Sequence, residues 1–355
     1  MDVYRALATG TPFEATADGG ILARPEITDP VHGHPDAVAV VRTSGSTGTP
    51  KQTLLTANAL QASAEATARH IGGQGQWLLA VGTQYVAGLA VVSRSVQAGT
   101  TPVVIDPGFS AAEFIAATNR LAHHFTAVSL VPTQLTRLLD HDDALAALQS
   151  YSAILVGGSA IPHRIIDAAH HYGLNLYKTY GMSETCGGCV YDGTPLPGVT
   201  VDTVPHNGVD RIRISGPMVT AGYFGDPART AAHFENSTFL TDDYGTITDG
   251  VVNIAGRLDD VINTGGIKVS AAKIQQVLQR WVPEAFVTGL PDEKWGQRVC
   301  AVVTGHTEPT VLAAAVRSEL GAPAVPKTWL RVKALPRLAH GKPDRITLTE
   351  WLAKE

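Results

Sequence analysis

Between residues 38 and 172, short apolar runs alternate with longer amphipathic stretches. Residues 38–41, 77–81, 102–106, 127–131 and 153–156 are continuous apolar runs bounded by Gly, Pro or polar residues. That is the pattern of strands buried on both faces. Helical spacing occupies 54–70, 86–97, 111–122, 134–148 and 161–172, the last with Pro162 near its start. Strands alternating with helices of this length predict an α/β fold, with a mostly parallel sheet covered by helices. From Gly198 the texture changes. Residues 199–204, 211–215 and 246–254 are short, alternating and punctuated by Gly, Asn and Asp, which predicts an attached antiparallel β portion. The remainder reads as a small α+β unit: helices over 269–281 and 310–320, strands over 285–290, 299–304 and 329–332. Residues 1–35 show little period beyond Ile21-Leu22-Ala23 and read as a surface arm.

At 355 residues the chain is long enough for two domains, and 44% hydrophobic against 17% charged residues can supply a sizeable core. A formal net charge of −5, with no Lys/Arg block, gives no support to nucleic-acid binding. Residues 1–20 carry Asp2, Arg5, Glu14 and Asp18 and no apolar signal region, and the longest apolar stretch, 77–93, is broken by Gly and Gln. No signal peptide and no membrane insertion are therefore expected. Three cysteines suggest no disulfide framework and a cytoplasmic location.

Chemistry concentrates in four places. Thr43-Ser44-Gly45-Ser46-Thr47-Gly48, closed by Pro50 and Lys51, cannot pack a core. It can wrap backbone amides and hydroxyls around an anion, because Gly45 and Gly48 permit close approach and positive φ. A flexible turn between strand and helix is the other reading of such a run, and Lys51 tips it towards phosphate. The Walker A spacing is absent. The second place is Thr179-Tyr180-Gly181-Met182-Ser183-Glu184, following a strand over 174–177. Ligands sit at the ends of parallel strands. There Tyr180 could stack on a base, Ser183 bond a phosphate and Glu184 hold Mg²⁺; a polar turn with a structural tyrosine is the alternative. The third place holds Asp243, suited to two ribose hydroxyls, and Arg257, with Gly265, Gly266 and Lys268 beyond. A solvated turn and a surface ion pair remain open for the acid and the arginine. The fourth is Lys342 on a Gly/Pro loop, which alone reads as solvated surface. Cys186 and Cys189 have C-x-x-C spacing without the further ligands a zinc site needs, and read as a tight glycine loop.

Together, in this order and across residues 38–345, the four segments resemble the adenylate-forming superfamily of acyl-CoA synthetases, peptide-synthetase adenylation domains and luciferases. The resemblance implies an ATP-dependent acid–thiol ligase using Mg²⁺ and coenzyme A. Residues 43–51 would form the phosphate loop. Tyr180 to Glu184 would be the nucleotide and Mg²⁺ motif, and Asp243 with Arg257 the ribose pair. Asp259 would be the hinge and Lys342 the adenylation lysine. It implies domains at 1–258 and 259–355, the second small and mobile about Asp259, with residues 263–270 lining the thiol's path. Gly157, Gly158, Ser159, Gln84, Tyr85, Gly187 and Gly188 are candidates beside the adenine and acyl groups. The chain departs from the family pattern at Gln52 and Asp242, where glycine is usual, and at Gln84-Tyr85, where many members carry histidine. It is also short ahead of residue 43, as if truncated at its N-terminus.

Within the superfamily, residues 77–81, 85–90 and 179–193 resemble the short actinobacterial o-succinylbenzoate–CoA ligases of menaquinone synthesis. The expected partners are a small carboxylic acid, ATP and CoA, with a homodimer left open. A ligase for another aryl or short-chain acid, a stand-alone domain loading a carrier protein, and a nucleotide-binding regulator without catalysis are the competing readings.

Overall fold

The computed structural model describes residues 2–43, 51–105, 108–337 and 343–355. Ser44 to Pro50 and Lys342 lie outside them. The first 35 residues pack into the fold rather than trailing as an arm. They form α1 (Asp2–Thr9), β1 (Phe13–Ala15), β2 (Ile21–Ala23) and a 3-10 turn at Pro25–Thr28. Val3, Ala6, Phe13 and Ile27 are buried. Each short element contributes only one or two apolar residues, so no period emerges in the sequence.

β3 (Ala37–Thr43) and β4 (Lys51–Thr56) form an antiparallel pair whose last rung joins Thr43 to Lys51. The Ser/Gly run therefore connects two strands, not a strand and a helix. The helix expected from residue 54 starts later, as α2 (Ala57–Ile71), because Thr53 to Thr56 are buried in β4. Thr56 then caps α2, its hydroxyl accepting from the Ala59 amide at 3.2 Å. This sheet has the order β14-β4-β3-β1-β2, where β14 is Gly222–Tyr223.

The predicted alternation follows. β5 (Gln76–Leu79), α3 (Val86–Gln97), β6 (Val103–Val104), α4 (Ala111–Thr118) and β7 (Thr126–Leu130) come first. Then come α5 (Pro132–Leu139), α6 (Asp142–Gln149), β8 (Ala153–Val156), α7 (His163–His171) and β9 (Leu176–Met182). β6, β5, β7, β8 and β9 pair in parallel; β10 (Gly187–Tyr191) and β11 (Thr194–Pro195) extend the sheet antiparallel. Phe114, Leu135, Leu138, Leu148, Tyr151 and Ile154 fill its core. The single helix expected over 134–148 is two. Asp140 and His141 break it, and Asp142 and Asp143 then sit in the first turn of α6, where the helix dipole favours acids.

The antiparallel portion comprises β12 (Thr200–His206), β13 (Val209–Ser215), β14, α8 (Pro227–His233), β15 (Phe234–Glu235), β16 (Thr238–Thr248) and β17 (Val251–Arg257). The order of its sheet is β12-β13-β16-β15, with β17 on β16. The last part contains β18 (Val261–Thr264), β19 (Ile267–Ser270), α9 (Ala271–Leu278), β20 (Ala285–Asp292), β21 (Gly296–Val303), α10 (Pro309–Leu320), β22 (Thr328–Arg331) and α11 (Arg345–Leu352). Its sheet, β19-β18-β21-β20 with β22 on β21, packs against a core including Ile274, Leu278, Val299 and Leu312.

The chain divides into two compact units. The first holds Met1–Asp202, Arg213–Thr241 and Ile247–Val252; the second holds Thr203–Ile212, Asp242–Thr246 and Asn253–Glu355. Among the described residues no helix is long and apolar enough to cross a membrane.

Candidate active site

In the first unit the strand expected over 174–177 runs on through the motif: β9 carries Thr179 to Met182 in extended form rather than as a turn. It does so because β10 lies close on its far side. Gly181 pairs with Gly188, and a Cβ on Gly181 would fall 2.0 Å from the Gly187 carbonyl oxygen. Only glycine permits that approach. After Met182 the chain makes a 3-10 turn at Ser183–Thr185, passes Cys186 at φ 53° and returns as β10. The Thr185 hydroxyl fixes the turn, accepting from the Met182 amide at 3.1 Å and donating to the Gly187 carbonyl at 2.7 Å. Ser183 and Glu184 are thereby held in buried positions.

The Glu184 carboxylate, 7% exposed, accepts a hydrogen bond from the Tyr223 hydroxyl at 2.8 Å. The same tyrosine, on β14, lies with its ring under Lys51, whose Nζ is 5.4 Å from the ring centroid. β14 pairs Tyr223 with Thr53 of β4, which places it there. The Thr220 amide donates to the Glu184 carbonyl at 3.0 Å, and its hydroxyl donates to the Leu54 carbonyl, tying the turn to β4. One phenol thus joins the cation at the end of the Ser/Gly run to the candidate metal-binding carboxylate. Sequence reasoning missed Tyr223. A lone Gly-Tyr pair in a Gly/Pro-rich stretch has no period to mark it.

Gly157, Gly158 and Ser159 leave the end of β8, next to β9. A Cβ on Gly157 would lie 2.2 Å from Thr179 Oγ1, and that hydroxyl donates to the Val156 carbonyl at 3.2 Å. Thr179 thus braces the strand pair. Tyr180 is partly buried on β9. Tyr85 caps the start of α3 by backbone, and the Gln84 side chain folds back over Gly82. Thr83 Oγ1 and Gln84 Oε1 are buried with no hydrogen-bond partner among the described residues. Thr83 is a second group the sequence did not mark. Gly187 (φ 112°) faces α3, where its Cβ would be 3.3 Å from that of Ala90. Cys186 and Cys189 are buried, and burial pushes the Cys186 thiol up to about 12. Gln52, at a usual glycine position, accepts from the buried Arg24 at 3.0 Å.

No cluster of three or more His, Cys, Asp or Glu side chains that could hold a metal occurs among the described residues. A lone carboxylate still fits Mg²⁺, a hard cation usually held by one or two carboxylates plus substrate phosphates. Tyr223 occupies Oε1 of Glu184 with a neutral donor and leaves the carboxylate's other acceptor sites for a cation.

In the second unit Asp243 is buried at the centre of β16. Arg257 reaches it at 3.6 Å, Asp242 at 3.9 Å and Asp259 at 3.0 Å. Burial works against the Arg257 charge, but Asp259, Asp243 and Asp242 outweigh it and hold the guanidinium above its ordinary value. Asp242, the other departure from glycine, is also bonded by Arg211 at 2.9 Å. Both acids are strand residues rather than a solvated turn. Gly265 and Gly266, at φ 61° and 79°, form the two-residue turn between β18 and β19 that needs positive φ twice. Lys268 donates to the Asn207 carbonyl. The structure therefore groups Asp243, Arg257 and Asp259 in one unit, and Lys51, Tyr223 and Glu184 in the other.

Residues 6–224 match the AMP-binding enzyme family and residues 277–342 its C-terminal domain. The chain belongs to the AMP-binding enzyme family. A relative from Mycobacterium tuberculosis, named probable 2-succinylbenzoate–CoA ligase, is 41% identical over 332 residues, covering 90% of this chain and 86% of that one. The solved o-succinylbenzoate CoA synthetase (MenE) from Bacillus subtilis, in complex with the acyl-adenylate intermediate OSB-AMP, is 28% identical with a TM-score of 0.77. That match covers 88% of this chain and 69% of the other. The amide bond synthetase McbA from Marinactinospora thermotolerans is 27% identical with a TM-score of 0.79, over 94% of this chain and 71% of that one.

Proposed function

We propose that the chain ligates 2-succinylbenzoate to coenzyme A through an acyl-adenylate, releasing AMP and pyrophosphate, as a step of menaquinone biosynthesis. The observation that carries this is the Lys51–Tyr223–Glu184 arrangement beside the Ser/Gly run, in a chain of this family. The named substrate of the mycobacterial relative supports the choice of acid.

In the first step a carboxylate oxygen attacks the α-phosphorus and the bond to pyrophosphate breaks. Negative charge builds on phosphoryl oxygens, so fixed cations and amide donors lower the barrier. Lys51, with residues 43–48, holds the β- and γ-phosphates; Ser183 donates to a phosphate; Glu184 holds Mg²⁺. Bound there, the ion neutralises triphosphate charge. Asp243 accepts from the ribose hydroxyls and Arg257 orients it. Lys342 bridges the carboxylate and the α-phosphate. In the second step the thiol sulfur attacks the acyl carbon, the bond to AMP breaks, and the thiol proton passes to solvent. Residues 259–355 turn about Asp259 between the steps, withdrawing Lys342 and presenting 263–270, with Gly265, Gly266 and Lys268, to the thiol. Cytoplasmic residence belongs to the same proposal, supported by a cysteine count of three, all of them buried.

The test is incubation with ATP, Mg²⁺ and CoA and a panel of acids, reading thioester mass and AMP. 2-Succinylbenzoate should give the highest kcat/KM. Faster turnover of benzoates or fatty acids would change the substrate, and AMP formation with no acid at all would remove the ligase reading.

A further inference from the structure

Arg24 is buried, 6% exposed, in the bend between β2 and the 3-10 turn at Pro25–Thr28, and belongs to none of the motifs that led to the proposed function. Each nitrogen of its guanidinium has a partner. Nε donates to Glu26, NH1 to Glu14, and NH2 to the Gln52 side-chain oxygen at 3.0 Å. The guanidinium carbon also lies 5.6 Å from the Phe224 ring centroid. Glu14, on β1, takes a second arginine: Arg42 donates to both of its oxygens, from NH2 at 3.1 Å. Two arginines and two glutamates balance, so the buried guanidinium is paired rather than stranded.

Arg42 and Gln52 are cross-strand neighbours in the β3–β4 pair, on the rung directly behind Thr43–Lys51. Their side chains meet through Glu14 and Arg24, closing a ring across the two strands that carry the Ser/Gly run. Phe224 follows Tyr223, and its amide donates to the Gln52 carbonyl at 2.8 Å. Side chains alternate between the two faces of a strand. Lys51, Thr53 and the Thr53 partner Tyr223 therefore share one face of the sheet, where Lys51 lies over the Tyr223 ring. Arg42, Gln52 and Phe224 share the other, where Arg24 grips them. From that face Arg24 ties β4 to β14 at the level of the Lys51–Tyr223 contact, and Tyr223 bonds Glu184.

We infer that Arg24 is a positioning residue for the triphosphate: from the face opposite the site it fixes the spacing of β3, β4 and β14, and with it the placing of Lys51 over Tyr223. The inference rests on the acyl-CoA ligase reading above and adds to it a residue that touches no substrate. Its influence falls on the step that uses the triphosphate. Attack of a thiol on a preformed adenylate draws on neither Lys51 nor the β- and γ-phosphates.

The experiment measures the two half-reactions separately in wild type, Arg24→Lys, Gln52→Met and the double variant. One is exchange of labelled pyrophosphate into ATP, with 2-succinylbenzoate and no CoA, followed against ATP concentration. The other is thiolysis of supplied acyl-adenylate by CoA. Arg24→Lys keeps a charge for Glu14 but lacks the fork that reaches Gln52 as well. It should raise the KM for ATP about tenfold, the scale of a hydrogen bond lost from a charged donor. The rate at saturating ATP, and thiolysis in every variant, should stay within about twofold of wild type. Gln52→Met removes the neutral acceptor alone and should move KM the same way, and the double variant should add little, because both changes open one link. An unchanged KM for ATP in either variant, multiplied effects in the double variant, or equal losses in the two half-reactions overturns the inference. If Arg24→Lys does not fold, Gln52→Met decides. Failure of wild type to exchange with any acid overturns the ligase reading instead.

Discussion

Tyr223→Phe is the most informative single change in the phosphate site. The substitution keeps the aromatic ring beneath Lys51 and removes only the hydroxyl that donates to Glu184 at 2.8 Å. Both partners are nearly sealed from water, Tyr223 at 4% and Glu184 at 7% exposure. A hydrogen bond to a charged group is worth about 1.5–3 kcal/mol. At about 1.4 kcal/mol per factor of ten, that is roughly 10- to 150-fold in the population of correctly oriented carboxylate. Without the bond, Glu184 keeps its charge but not its direction. The Mg²⁺ concentration giving half-maximal pyrophosphate release should therefore rise by about tenfold or more, while the rate at saturating Mg²⁺ changes much less. The cation–π contact, worth about 0.5–1 kcal/mol at an exposed site, is retained, so the KM for ATP should move little. A purely packing role would lower the denaturation midpoint and leave the Mg²⁺ dependence where it was. Superimposable Mg²⁺ curves for wild type and Tyr223→Phe would refute the positioning argument.

Lys342→Ala should cripple adenylate formation and spare thiolysis of supplied acyl-adenylate; equal loss in both half-reactions would remove the lysine from its proposed role. Asp259→Pro should slow the second half-reaction more than the first, and an unchanged ratio of the two rates would contradict the hinge. Gly181→Ala forces a methyl against the Gly187 carbonyl, a backbone atom that cannot step aside. It should cost at least about 2 kcal/mol in denaturant unfolding, and an unaltered midpoint would contradict the close approach of β9 and β10. Cys186 keeps its proton up to about pH 12 when folded because burial disfavours the thiolate, whereas an unfolded thiol ionises near about 8.5. The folded state therefore binds the extra proton between those values, and this group's contribution to stability falls as pH rises through them. Iodoacetamide at pH 8 should leave Cys186 unlabelled in native protein and label it in urea; native labelling would show the thiol is accessible.

The alternation of apolar runs with helical stretches was legible because strands buried on both faces leave continuous runs, as 153–156 do for β8. Motif order was legible because lysine, carboxylate and aspartate keep their chemistry wherever the backbone carries them. What the sequence hid were pairings across distance. Residues 1–35 looked formless because Phe13 and Ile27 are single anchors. Residues 54–56 looked helical because their leucines suit either period until β14 and β3 pair with them. Tyr223 was invisible for the same reason: it matters only through partners far along the chain. The Asp243–Arg257 pair could be named from sequence, but the bond that Asp242 accepts from Arg211 could not.

Formation of an acyl-adenylate before any thiol is needed is the step on which the proposed ligase reaction rests. Its most direct test is exchange of labelled pyrophosphate into ATP, with 2-succinylbenzoate present and CoA left out, in wild type and in Glu184→Gln. Wild type should show acid-dependent exchange, and the variant should lose it. Exchange that needs CoA, or that persists unchanged without the Glu184 carboxylate, would contradict it.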